Sequence, residues 1–129
     1  MRVGVLTGGG DAPGLNAAVK AIVYKAKDHG YEVVGIKRGW AGMLEADAEP
    51  LNVDMVEGIT SEGGIILYTS RTNPAKMPDG IEKCMENMKK LRLDALIAIG
   101  GDDTLGVAEK LCEAGASVVG AVSYTHLTL

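Results

Sequence analysis

The sequence predicts an α/β fold, a parallel sheet covered by helices on both faces, and two observations carry that expectation. Short apolar runs alternate along the chain with stretches of helical periodicity. Two of those runs end in glycine turns, Gly8-Gly9-Gly10 and Gly100-Gly101, and each turn opens a helix-like stretch. Strands separated by helix-length crossovers pair in parallel, and parallel strands need cover on both faces.

Taken in order, residues 2–6 read as a first strand, and residues 14 to about 27 as a helix with Val19, Ile22, Val23 and Ala26 on one face. Gly30 closes that helix in the left-handed conformation. Residues 31–36 form a second strand, 51–58 a short helix and 65–68 a short strand after Gly63-Gly64. Pro78-Asp79 opens a helix reaching about residue 91, residues 95–99 form a strand, and residues 104–114 form a helix that Gly115 ends. Residues 117–119 are a last strand. Ile81, Cys84, Met85, Met88 and Leu91 share one helical face, so Cys84 reads as a core thiol, and Cys112 after Leu105 and Ala108 reads the same way.

Composition narrows the function. With 129 residues, 47% apolar, 23% charged and a net charge of −4, the chain has the make-up of one soluble domain. It carries no Lys/Arg cluster for nucleic acid, no apolar stretch of membrane-spanning length and no signal-peptide pattern, so no nucleic acid, no membrane and a cytoplasmic location are expected. Two cysteines make no disulfide framework.

The glycine turns suggest phosphate chemistry. Bare N–H groups of Gly8, Gly9 and Gly10 can close on an anion at a helix N-terminus. The second turn adds Asp102, the kind of carboxylate a Mg²⁺ ion takes together with phosphate oxygens and water, and beside it Asp103. Either acid also has a local reading, Asp102 as a helix N-cap and Asp103 as an acid at the favourable end of a helix dipole.

The wording of these loops names a family. Gly4-Val5-Leu6-Thr7-Gly8-Gly9-Gly10-Asp11-Ala12-Pro13-Gly14-Leu15-Asn16-Ala17-Ala18 resembles the amino-terminal signature of the 6-phosphofructokinases. Ile99-Gly100-Gly101-Asp102-Asp103-Thr104 resembles their metal–phosphate loop, and Ser70-Arg71-Thr72-Asn73-Pro74 is similar to their arginine-bearing loop. Residues 1–121 are therefore expected to be the amino-terminal part of a donor-binding domain with a truncated, Rossmann-like three-layer fold.

The resemblance implies transfer of a phosphoryl group to the 1-hydroxyl of fructose 6-phosphate. Donor phosphates would be held by Gly8, Gly9, Gly10, Arg71, Thr72, Gly101, Asp102, Asp103 and Thr104, with Asp102 on the Mg²⁺ ion. Arg71 would carry transition-state charge, for which a planar guanidinium is suited. Asp103 stands where ATP-using members of the bacterial type have glycine and pyrophosphate-using members usually have aspartate, so pyrophosphate is the favoured donor and ATP the alternative. Tyr68 departs from the family's usual glycine in the arginine loop. Trp40 matches a position that often carries an aromatic and is expected to pack beside the donor site.

The family's proton-abstracting aspartate and its fructose 6-phosphate residues belong to a segment this chain does not reach, so the fragment is expected to be inactive. The full-length enzyme is expected to be a homo-oligomer. Residues 122–129 do not follow the family's pattern and can be reverse-translated into a sequencing-adaptor end, so a non-native read-through tail is expected there. Competing readings are an NAD- or lipid-kinase relative, which shares a Gly-Gly-Asp loop without the first signature, and a non-catalytic nucleotide-binding module. A dinucleotide module would need Gly-x-Gly-x-x-Gly and an acid near the end of the second strand, where Lys37-Arg38 stands.

Overall fold

The structure is a computed structural model and describes residues 1–8, 12–53 and 73–122. The elements are β1 (Arg2–Gly8), α1 (Ala12–Asp28), β2 (Glu32–Ile36), α2 (Trp40–Glu45), β3 (Ala48–Leu51), a 3₁₀ turn (Pro74–Lys76), α3 (Gly80–Lys90), β4 (Ala95–Gly100), α4 (Asp102–Glu113) and β5 (Val118–Val122). They form one five-stranded sheet in the order β3-β2-β1-β4-β5.

Strands β2, β1, β4 and β5 run parallel, as the crossover argument requires. β3 does not: it lies antiparallel against β2, with Val33 opposite Leu51 and Ile36 opposite Ala48. The expected helix over residues 51–58 is corrected at its start, because Leu51 is the last residue of this strand. Pro50 interrupts its donor row, which suits the edge position β3 holds. The expected strand over 65–68, Tyr68, and residues 123–129 lie outside the described residues.

Alternation along the strands sorts the side chains into two layers. Leu6, Val34, Leu96 and Ala98 face Trp40 and Met43 of α2, Cys84 and Met88 of α3, and Val107, Ala108 and Leu111 of α4. Val5, Val33 and Ile99 face Val19, Val23 and Ala26 of α1. The sheet therefore has helices on both faces.

The six-residue α2 is too short to persist on propensity. It is held from outside: Asn87 of α3 donates from Nδ2 to Met43 O (2.6 Å) and Leu44 O (3.0 Å), two carbonyls at the helix end. Arg38, at φ 60°, bonds Glu45 and also Asp47 (3.2 Å), closing the turn around the same helix.

Cys84 is fully buried, and burial pushes its thiol up to about 12. Cys112 is exposed, which corrects its expected place in the core. The buried stripe of α4 runs Thr104, Val107, Ala108 and Leu111, one step round the helix from Cys112.

Candidate donor-phosphate site

The chain leaves β1 for β2 on one side, while β4 leads to β5 on the other. β1 and β4 thus lie side by side where the winding reverses. The carboxyl ends of such neighbouring strands open the crevice in which α/β sheets bind ligands. Gly8 and Gly100, the first glycines of the two turns, lie there as register partners.

Gly101 is the N-cap of α4 and, being glycine, makes no side-chain cap bond. That corrects the local reading of Asp102 as N-cap: Asp102 and Asp103 are the first two helical residues, and both are exposed. The first turn of α4 closes with Leu105 N–H donating to Gly101 O at 3.0 Å. The N–H groups of Asp102, Asp103 and Thr104 precede that bond and have no carbonyl within the helix to take them, so the positive end of α4 faces the crevice.

Thr104 is 5% exposed, and its hydroxyl donates to Gly8 O at 3.0 Å. A Cβ at Gly8 would land on that hydroxyl. A Cβ at Gly100 would approach it to 2.7 Å and Gly8 O to the same distance. On the other side of β1, Gly39 at φ 58° lies so close to Thr7 O that a Cβ would come within 2.9 Å. The end of β1 is therefore packed between glycines.

A cleft of about 290 Å³ lies between the first turns of α4 and the 3₁₀ turn. Asp102 and Asp103 line it with Lys76 and Lys110, and Gly106 adds no side chain to the wall. Sequence reading missed both lysines. The spacing 103, 106, 107 and 110 on one helical face could have found Lys110, and nothing local marks Lys76. Trp40, expected to pack beside the donor site, begins α2 and is 3% exposed within the core, where its Nε1 is the one buried side-chain polar atom without a partner among the described residues.

The structure thus brings Gly8, Gly101, Asp102, Asp103 and Thr104 together. Gly9, Gly10, Arg71 and Thr72 lie outside the described residues. Among the described residues no group of three or more His, Cys, Asp or Glu could hold a metal ion. What is present is an adjacent pair of exposed acids at a helix start, a donor set that suits a cation arriving with phosphate oxygens and water. No helix among the described residues is long and apolar enough to cross a membrane.

Residues 2–124 match the family model described as phosphofructokinase. The chain belongs to the phosphofructokinase family.

It is 60% identical over 120 residues to the pyrophosphate–fructose 6-phosphate 1-phosphotransferase of Dictyoglomus thermophilum, covering 93% of this chain and 35% of that one. It is 48% identical over 121 residues to ATP-dependent 6-phosphofructokinase 3 of Streptomyces coelicolor, covering 93% of this chain and 36% of that one. The phosphofructokinase of Pichia pastoris in the T-state superposes with a TM-score of 0.85 at 28% identity, over 95% of this chain and 15% of that one. This phosphofructokinase chain therefore spans about a third of the length of the curated relatives it matches.

Proposed function

We propose that this chain is the donor-side part of a 6-phosphofructokinase that transfers a phosphoryl group to the 1-hydroxyl of fructose 6-phosphate, with pyrophosphate as the preferred donor. The observation that carries the reading is the pairing of Gly8 with Gly100 at the reversal point of the sheet, with Asp102 and Asp103 at the start of the helix that follows. Gly8, Gly9 and Gly10, with the N–H groups of Gly101 to Thr104, would cradle donor phosphates. Arg71 and Thr72 would close on the transferring group, and Asp102 would take a Mg²⁺ ion, which when bound neutralises developing phosphate charge.

Asp103 supports pyrophosphate. Its carboxylate lines the cleft, where a nucleotide would bring an α-phosphate and pyrophosphate would not. ATP is the second reading, favoured by the open wall at Gly106 and by the ATP-dependent enzyme of Streptomyces coelicolor among the relatives. The acceptor residues and the general base belong to a longer protein, and the full-length enzyme is read as a homo-oligomer acting in the cytoplasm.

The test joins this chain's residues 1–120 to the remaining segment of the Dictyoglomus thermophilum phosphotransferase and measures fructose 6-phosphate phosphorylation with each donor. Turnover with a higher kcat/KM for magnesium pyrophosphate is expected. A chimera that folds and turns over neither donor would refute the proposal.

A further inference from the structure

We propose that Thr104 is a positioning residue, a hydroxyl latch that ties the start of α4 to the end of β1 and so holds the two donor loops in one geometry. The inference rests on the donor-site reading above and gives Thr104 a role other than contact with phosphate through its side chain.

The bond runs from Thr104 Oγ1 to Gly8 O, at 3.0 Å and across 96 residues of sequence. A threonine hydroxyl carries one proton. While that proton is on Gly8 O, the oxygen can only accept, and a fully ionised phosphate oxygen has nothing to give it. The side chain is thus turned away from an anion chemically, and it is also buried. The Thr104 backbone N–H, in the first turn of α4, stays directed out of the helix start.

The slot that receives the hydroxyl is built for it. Gly8 and Gly100 face each other in the β1–β4 register, and a Cβ on either would meet the Thr104 side chain. Two paired glycines therefore do more than free the backbone for a ligand: they admit a side chain from the opposite loop. The carbonyl so held is the last of β1, so the bond fixes the end of that strand against the start of α4. A loop whose N–H groups are aimed in only a fraction of molecules binds its anion more weakly by that fraction.

The test uses the full-length chimera described above, with Thr104→Val, which keeps shape and removes the hydroxyl, and Thr104→Ser, which keeps the hydroxyl. Thermal unfolding without donor, and KM for magnesium pyrophosphate and for fructose 6-phosphate, are measured for each. Thr104→Val is expected to unfold at lower temperature without donor and to raise the pyrophosphate KM roughly tenfold, the size of one lost hydrogen bond. KM for fructose 6-phosphate should move by less than about half of that change on a logarithmic scale, since only the donor loop is released. Thr104→Ser should restore most of both losses. The latch is overturned if Thr104→Val raises the pyrophosphate KM without altering stability in the absence of donor, which places the hydroxyl on the donor itself. It is equally overturned if stability falls and the pyrophosphate KM does not move, or if serine fails to rescue. An unsubstituted chimera inactive with either donor would instead refute the donor-site reading.

Discussion

Replacing Asp103 by glycine in the full-length chimera should shift donor preference from pyrophosphate towards ATP. Asp103 is exposed in the first turn of α4 and lines the cleft beside Gly106. A carboxylate about 4 Å from an α-phosphate oxygen repels it by roughly 1 kcal/mol in water and roughly 4 kcal/mol at an effective dielectric of 20. Exposure places the interaction nearer the lower figure, so about 1–2 kcal/mol, or roughly five- to thirtyfold in the ratio of kcat/KM values, is expected. Losing an acid at the N-terminus of α4 also costs about 0.3–1 kcal/mol of helix stability, but that loss is shared by both donors and cancels in the ratio. Asp103→Asn keeps the size and removes the charge, so it should move the ratio in the same direction. Asp102→Asn should instead lower turnover with both donors, because neutralising phosphate charge through a metal is common to them. The assay is steady-state phosphorylation of fructose 6-phosphate with each magnesium-loaded donor. A donor ratio unchanged in both Asp103 variants would show that this acid serves the helix and not donor choice.

Three further outcomes are expected. Trp40→Phe should change stability by less than about 1 kcal/mol, whereas Trp40→Ala should cost about 3–5 kcal/mol; the phenyl ring keeps most of the packing and removes a buried N–H that has no partner, and thermal unfolding of the chimera separates the two variants. Asn87→Leu should destabilise by about 1–3 kcal/mol, since it strands the Met43 and Leu44 carbonyls at the end of α2; loss of near-ultraviolet signal from Trp40 at lower temperature would register it. Cys84 is buried with its thiol raised from 9.0 to about 12, so the unfolded chain loses this proton first as pH rises. Its contribution is intact below pH 9 and declines as pH climbs from 9 towards 12, with a slope of at most about 1.4 kcal/mol per pH unit. Unfolding followed over that range should show the slope in the parent and not in Cys84→Ala.

Much of the architecture was legible in the residues because it is written in local periodicity. The helices α1, α3 and α4 and the strands β1, β2, β4 and β5 each carry an apolar pattern of their own, and two strands ending in glycine point to the crevice. The elements that escaped, α2 and β3, lack such a pattern. α2 is one and a half turns containing Gly42 and persists because Asn87 and Arg38 hold it from outside, while β3 contains a proline and is a strand only because β2 lies beside it. Cys112 was misplaced for a related reason: its spacing from Leu105 and Ala108 fits a helical face, but the face that α4 buries runs through Thr104, Val107, Ala108 and Leu111. At the site, residue type alone indicated glycine turns, acids and phosphate chemistry. Only the tertiary structure decided that Gly8 and Gly100 are register partners and that the Thr104 hydroxyl is spent on Gly8 O. Pairings between residues 92 or 96 positions apart depend on how the whole sheet closes, and no local pattern encodes that.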